Sequence, residues 1–251
     1  MNKLLEIMNE GKCVYGPFMK TGDPAFVEIV GHAGFDFVIL DLEHGPTNEL
    51  ALQNLIRGAQ LANLCPIVRV SKLDEVLIGR ALDIGAGGVQ VPQVTNSNDA
   101  VTAVEAAKFA PMGKRGVCRF VRAANYSAMD RYQYFSESNK NLVILQLEGK
   151  EAIDNLDGIL EVSGIDVIFI GPYDLSQSIG VAGDINHPLV EEKMKYIIEK
   201  AKEKGILTGT FVDTIEDVKR WKNAGVSYIS YSVDMGIFYE TCKNILSSIK
   251  E

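Results

Sequence analysis

Eight short runs of apolar, mostly β-favouring residues recur along almost the whole chain, at 14–19, 37–42, 66–70, 88–94, 142–147, 166–170, 207–212 and 228–233. Between them lie longer stretches with apolar residues at helical spacing, such as 48–61, 99–109, 151–162, 189–204 and 214–223, many ended by Gly or Asn. Strands that alternate with helices pair in parallel, because each crossover returns the chain to the same end of the sheet. Runs such as FVILDL at 37–42 and VIFI at 167–170 are apolar at consecutive positions, as strands buried on both faces have to be. Eight such units in 251 residues predict one α/β domain over 1–251, a (β/α)8 TIM barrel. The competing architecture, a doubly wound open sheet, would show a glycine-rich phosphate loop after its first strand. Gly85, Gly87 and Gly88 come nearest to one, but they precede a strand and open no helix. No stretch is rich enough in Pro, Gly or Ser to mark a domain boundary.

Composition narrows the partners. The net charge of −8 is spread along the chain without a basic stripe to neutralise phosphates, which argues against nucleic acid. No apolar stretch approaches the roughly 20 residues that span a bilayer, and the first residues, MNKLLEIMNEGK, lack the apolar run of a signal peptide. Cysteines 13, 65, 118 and 242 are too widely spaced for a zinc ribbon or redox pair and read as reduced thiols. The expectation is a cytoplasmic protein that meets a small-molecule substrate, with no membrane partner. The one long irregular segment, 111–140, carries five Lys or Arg residues between 114 and 131, together with Tyr126, Tyr132, Tyr134 and Phe135. It reads either as a partly helical insertion packed on the barrel or on another subunit, or as an active-site lid.

Barrel enzymes carry their reactive groups at the C-terminal ends of strands, so the polar residues just after each apolar run are the ones to weigh. The second run leads into Asp41, Glu43, His44, Gly45 and Pro46, the third contains Arg69, and the fifth leads into Gln146 and Glu148. The sixth leads into Gly171, Pro172, Tyr173, Asp174, Leu175 and Ser176. Glu148 and Asp174 are candidate metal ligands, since two converging carboxylates repel and a divalent ion relieves that repulsion. Oxygen ligands without a nearby cysteine suit Mg²⁺, Mn²⁺ or Co²⁺, with Zn²⁺ a further candidate. The alternative is that each carboxylate caps the helix that follows it. Arg69 ends an otherwise apolar strand, either to act on a 2-keto acid whose C2 oxygen gains charge on enolisation or to pair with Asp41 or Glu43. His44 is one of three histidines and the one that falls at a strand end, which makes it a candidate acid–base group. Asp83, near the end of the third helix, is a candidate to fix its tautomer.

At Glu43-His44-Gly45-Pro46, Arg69, Gln146-x-Glu148 and Gly171-Pro172-x-Asp174-Leu175-Ser176 the chain resembles the HpcH/HpaI family of class II pyruvate aldolases. The likeness continues through Val89-Gln90-Val91-Pro92, Lys114-Arg115-Gly116-Val117 and Val233-Asp234, so it covers nearly the whole chain in order. The resemblance implies a barrel of the phosphoenolpyruvate/pyruvate type and a divalent-metal-dependent lyase that cleaves or forms 4-hydroxy-2-keto acids from pyruvate and an aldehyde. In that pattern Glu148 and Asp174 match the metal ligands, Arg69 the residue that stabilises the enolate oxygen, and Gln146 a neighbour of the keto acid. His44 and Asp83 match a proposed acid–base dyad, and backbone amides near 171–174 match a carboxylate cradle that includes Gly171, Pro172 and Tyr173. It also implies a homo-oligomer, typically a hexamer, with C-terminal helices exchanged between paired subunits. This chain departs from the pattern at Tyr173, where alanine is common, at Cys118-Arg119-Phe120, where smaller residues are frequent, and at Gly149-Lys150, which replaces a Thr-Arg pair. Two other functions compete: a citrate-lyase-β-like acyl-CoA lyase and a catalytically silent metabolite-binding barrel.

Overall fold

The computed structural model describes residues 2–250; residues 1 and 251, which the single-domain expectation includes, lie outside the described residues. Strands β1 (Val14–Met19), β2 (Phe37–Asp41), β3 (Cys65–Arg69), β4 (Gly88–Val91), β5 (Leu142–Leu147), β6 (Val167–Ile170), β7 (Leu207–Val212) and β8 (Tyr228–Val233) close into a barrel. Each pairs in parallel with its sequence neighbours, and β1 with β8 completes the ring. Around it run helices α1 (Lys3–Asn9), α2 (Pro24–His32), α3 (Glu49–Leu61), α4 (Glu75–Asp83), α5 (Ser97–Ala107), α6 (Arg131–Ser138), α7 (Lys150–Asp154), α8 (Leu156–Leu160), α9 (Pro172–Ser178), α10 (Pro188–Glu203), α11 (Ile215–Asn223) and α12 (Asp234–Lys250). Several starts are fixed by side chains that accept first-turn N–H groups, among them Asp23, Asn48, Asp74, Asn96 and Thr214.

The pleat decides what each strand residue meets. In β2, Val38 and Leu40 pack outward with the helices, while Phe37 and Ile39 pack inside the barrel with Ile67, Ile144, Phe169 and Tyr228. Both faces are therefore apolar, which is why these strands read as continuous apolar runs. The same alternation brings Asp41 and Arg69 inward at the top of the barrel, where the register sets Asp41 beside Arg69 and Arg69 beside Gln90. Below them, Phe37 stacks on Tyr228 at 4.1 Å between ring centroids, and α1 closes the floor with Leu4 and Met8. Gly88 belongs to this packed floor: a β-carbon there would stand 2.6 Å from Leu142 Cβ, so it is a packing glycine and not part of a phosphate loop.

Three expectations are refined. The strand expected over 88–94 ends at Val91, because Gln93 turns into the left-handed region and its N–H leaves the ladder for Glu148. The helix expected over 151–162 is broken at Asn155 into α7 and α8. Segment 111–140 forms a short 3₁₀ stretch (Arg122–Ser127) and α6, and Tyr134 and Phe135 clasp Phe109 at ring distances of 5.6 and 5.1 Å. It is a partly helical insertion packed on the outside of its own barrel, not a lid over the mouth.

Candidate active site

At the C-terminal end of the barrel a cavity of about 390 Å³ is lined by Phe18, Lys20, His44, Arg69, Gln146, Phe169, 171–174, Phe211, Asp213 and Val233. Each lies at or just beyond the end of a strand. A larger cavity, about 500 Å³, lies between the start of β4, Arg122 and Tyr126. It opens at the opposite end of the barrel, where strands begin, and none of the expected site residues reaches it.

Arg69 anchors the mouth. Its Nε and Nη2 donate to the two oxygens of Asp41 at 2.9 and 2.8 Å, and its guanidinium lies 4.6 Å from the centre of the Phe18 ring. Nη1 lies 3.0 Å from Glu43 Oε2 as an ion pair, without the alignment of a hydrogen bond. The strand-end arginine therefore holds both carboxylates that the sequence offered as partners. Burial pulls the Asp41 carboxyl upward, but the Arg69 pair and the N–H groups of His44 and Glu43 outweigh it and hold the group below its ordinary value. The two backbone bonds, at 3.3 and 3.0 Å, wind the turn after β2 and set His44 at the cavity.

Glu148 is 8% exposed. One oxygen accepts Gln93 N–H at 2.9 Å and the other accepts Gln146 Nε2 at 2.5 Å, while Gln146 Oε1 accepts Gln90 Nε2 at 2.6 Å. Burial pushes the carboxyl up to about 7; the Gln146 bond pulls it back, and the charges of Asp174 and Glu43 push it further up. Asp174 sits in the first turn of α9, and Gly171 before it lets the backbone approach Glu148 closely: a β-carbon there would stand 2.9 Å from Glu148 Oε2. Neither carboxylate is a helix cap, since the capping positions of α7 and α9 are Gly149 and Gly171 and neither start has a side-chain cap bond. Among the described residues no group of three or more His, Cys, Asp or Glu side chains converges as a ready-made metal cage. Glu148 and Asp174, close enough for their charges to act on one another and with Asp174 lining the cavity, still suit a hard divalent ion that takes its remaining ligands from water and substrate.

Asp83 is not brought to His44 within the chain. Helices of the barrel run back from the rim, and Asp83 ends the nine-residue α4, about 12 Å below its start by the rise of 1.5 Å per residue. There it pairs at 2.5 Å with Arg115, a buried guanidinium stacked on Phe109, and it faces a separate cavity on the flank. Conversely, Lys20 and Asp213 line the mouth although neither was singled out. Both are the first residues past an apolar run, so the strand-end rule applied to the first and seventh runs finds them.

The HpcH/HpaI aldolase/citrate lyase profile matches residues 15–241. A protein of Enterobacter sp. (strain 638) named 5-keto-4-deoxy-D-glucarate aldolase is 33% identical over 251 residues, 100% of this chain and 97% of its own length. Among solved structures, an HpcH/HpaI aldolase/citrate lyase family protein from Burkholderia cenocepacia J2315 superposes with a TM-score of 0.94 at 30% identity, covering 100% of both chains. The citrate synthase SbnG does so with a TM-score of 0.90 at 29% identity, covering 100% of this chain and 98% of its own. The strand-end constellation and these full-length likenesses lead to one conclusion: the chain belongs to the HpcH/HpaI aldolase/citrate lyase family and is a carbon–carbon lyase of the class II aldolase kind.

Proposed function

We propose that the cavity at the barrel mouth cleaves and forms 4-hydroxy-2-keto acids, with pyruvate as one fragment, an aldehyde as the other, and Glu148 and Asp174 holding a divalent metal. The observation that carries this reading is Glu148: a buried carboxylate packed against the Cα of Gly171, its proton affinity raised by burial and by the neighbouring charges of Asp174 and Glu43. Mg²⁺, Mn²⁺ and Co²⁺ fit this oxygen-rich donor set, and Zn²⁺ is a further candidate. Such an ion polarises the C2 carbonyl of the keto acid.

The chain supplies the rest. Three of the five N–H groups of Arg69 face Asp41 and Glu43, which leaves one each on Nη1 and Nη2 for the oxygen that gains charge as the enolate forms. Gln146, fixed between Gln90 and Glu148, bounds the keto acid on the β5 side. The first-turn N–H groups of Tyr173 and Asp174, which a helix leaves unpaired, are placed for its carboxylate, with Gly171 and Pro172 shaping the approach. His44 takes the proton of the C4 hydroxyl as the C3–C4 bond breaks; the bonding pair becomes the enolate, which takes a proton at C3 to give pyruvate. Asp83, tied to Arg115, has no part in this scheme.

The homologues' name points to keto-deoxy sugar acids as the substrate class. The likeness to a citrate synthase favours a second reading, in which the same site condenses an acyl donor with a 2-keto acid to form citrate. Incubating the enzyme with pyruvate, an aldehyde panel and Mn²⁺, Co²⁺ or Mg²⁺, beside oxaloacetate with acetyl-CoA, and reading product mass separates the two. Metal-dependent adducts of pyruvate with an aldehyde support the first; citrate alone would replace it with the second. We propose further that the enzyme works as a homo-oligomer, a hexamer in the family pattern, in which α12 packs on another subunit. Asp234 is the buried residue of α12, while Phe238, Tyr239, Ile245, Leu246 and Ile249 are exposed.

A further inference from the structure

Gln90 lies on β4, in register with Arg69 on β3 and Ile144 on β5, and is wholly buried. Among the described residues its side chain makes one hydrogen bond, from Nε2 to Gln146 Oε1 at 2.6 Å. Its own Oε1 is buried and accepts none. Burying an amide while its carbonyl oxygen stays unpaired costs stability, so an aliphatic side chain of similar size would fill the barrel interior at least as well. Packing therefore does not account for a glutamine at this position. The single bond to Gln146 does.

Gln146, at the end of β5, lines the cavity. An amide offers an acceptor on one side and two N–H groups on the other, and its neighbours decide which way it lies. With Oε1 engaged by Gln90, Gln146 turns Nε2 to Glu148 Oε2 at 2.5 Å. Were both amides turned over, Gln146 Oε1 would face an oxygen of the Glu148 carboxylate, acceptor against acceptor. The relay thus runs in one sense, from Gln90 to Gln146 to the carboxylate. It leaves Gln146 one unused N–H for the cavity and engages its oxygen elsewhere.

We propose that Gln90 is a positioning residue for the keto acid: it acts through Gln146, holding that amide so that its remaining N–H is donated to pyruvate. The inference rests on the aldolase reading and deepens it, because it gives the β5 side of the pocket a fixed polarity. A donor suits the oxygens of a 2-keto acid, which have no hydrogen of their own to offer. An amide free to turn would present its oxygen to the same anion part of the time.

The test is a double-mutant cycle read by calorimetry of pyruvate binding in saturating Mn²⁺. Gln90→Met fills the space without a donor. It should weaken pyruvate binding roughly tenfold, the lower end of what one bond to a charged group contributes. Its urea midpoint and Mn²⁺ content should stay close to those of the wild type. Gln146→Met should weaken binding at least as much, and the double variant should bind no worse than Gln146→Met alone, because Gln90 then has nothing to orient. Should Gln90→Met not fold, Gln90→Leu takes its place in the cycle. Wild-type affinity in the Gln90 variant, or losses that multiply in the double variant, overturns the assignment. A loss of affinity that tracks missing Mn²⁺ or a lowered midpoint makes Gln90 structural and overturns it too. Absence of pyruvate binding in the wild type sinks this proposal and the aldolase reading together. A cycle that behaves as expected in an enzyme that condenses pyruvate with no aldehyde sinks the aldolase reading alone.

Discussion

Arg69 shows how one side chain serves fold and chemistry together. It is buried, it pairs with both Asp41 and Glu43, and it keeps free N–H groups at the cavity. Arg69→Ala should therefore do two separable things. It should abolish pyruvate α-proton exchange in deuterated water, and it should destabilise the protein by about 3–5 kcal/mol, because Asp41 is left as a buried charge without its partner. Arg69→Lys restores a charge but not the fork, so exchange should recover only in part. Wild-type exchange in Arg69→Ala would reduce the residue to a structural ion pair. His44 is exposed at the cavity and touches neither Glu148 nor Asp174 by a hydrogen bond among the described residues. Its replacement by alanine should keep metal and pyruvate binding and lose retro-aldol turnover by roughly 10²–10⁴-fold. Metal content measured on the purified variant checks this, since metal loss would make histidine a ligand. Glu148→Gln and Asp174→Asn should show the converse, an intact fold with metal and activity gone; full metal occupancy in both would refute the ligand pair.

Among the elements, α12 stands apart from the other long helices. The comparable α10 buries Val190, Met194, Ile197, Ile198 and Ala201, whereas α12 buries Asp234 at its start and exposes apolar residues beyond it. Those residues have a use only if something covers them. Phe238→Asp together with Ile245→Asp should shift the protein to smaller species in light scattering after size exclusion, without changing its far-ultraviolet dichroism. An unchanged mass would show that this face is not the subunit contact. The consequence reaches the mouth, since Asp234 at the head of α12 also holds the Lys20 backbone.

For the protein in its entirety, the site imposes an electrostatic cost that pH and metal should reveal. The folded Glu148 carboxyl is raised from 4.5 to about 7, so the folded state holds that proton more tightly than the unfolded chain does. Stability from this group is then fully present below pH 4.5 and is lost as pH rises towards 7. In chelator-treated protein, the urea midpoint of Glu148→Gln should therefore fall less than that of the wild type between pH 4.5 and 7. Added divalent metal should raise the wild-type midpoint most at the upper end of that window, because only the ionised carboxylate binds it. Parallel midpoints for the two proteins across the window would show that Glu148 does not titrate abnormally.

Much of this was readable before any coordinates. Burial on both faces forces apolar residues at consecutive positions, so FVILDL and VIFI announce parallel strands, and the alternation of strands and helices leads to the barrel. Strand ends then locate His44, Arg69, Glu148 and Asp174, because a parallel barrel brings all its strand C-termini to one rim. What local pattern cannot carry is which groups face one another across the ring. Arg69 reaches Asp41 over 28 residues because the register of β2 and β3 sets them side by side. Asp83 lies closer to His44 in sequence than Glu148 does, yet the run of α4 back from the rim takes it down the flank of the barrel to Arg115. The carboxylate of Asp234 meets the N–H groups of Lys20 and Thr21 only because β8 closes on β1. Periodicity records which face of an element is buried; the partners of a polar side chain depend on closure, and closure is a property of the eight strands together.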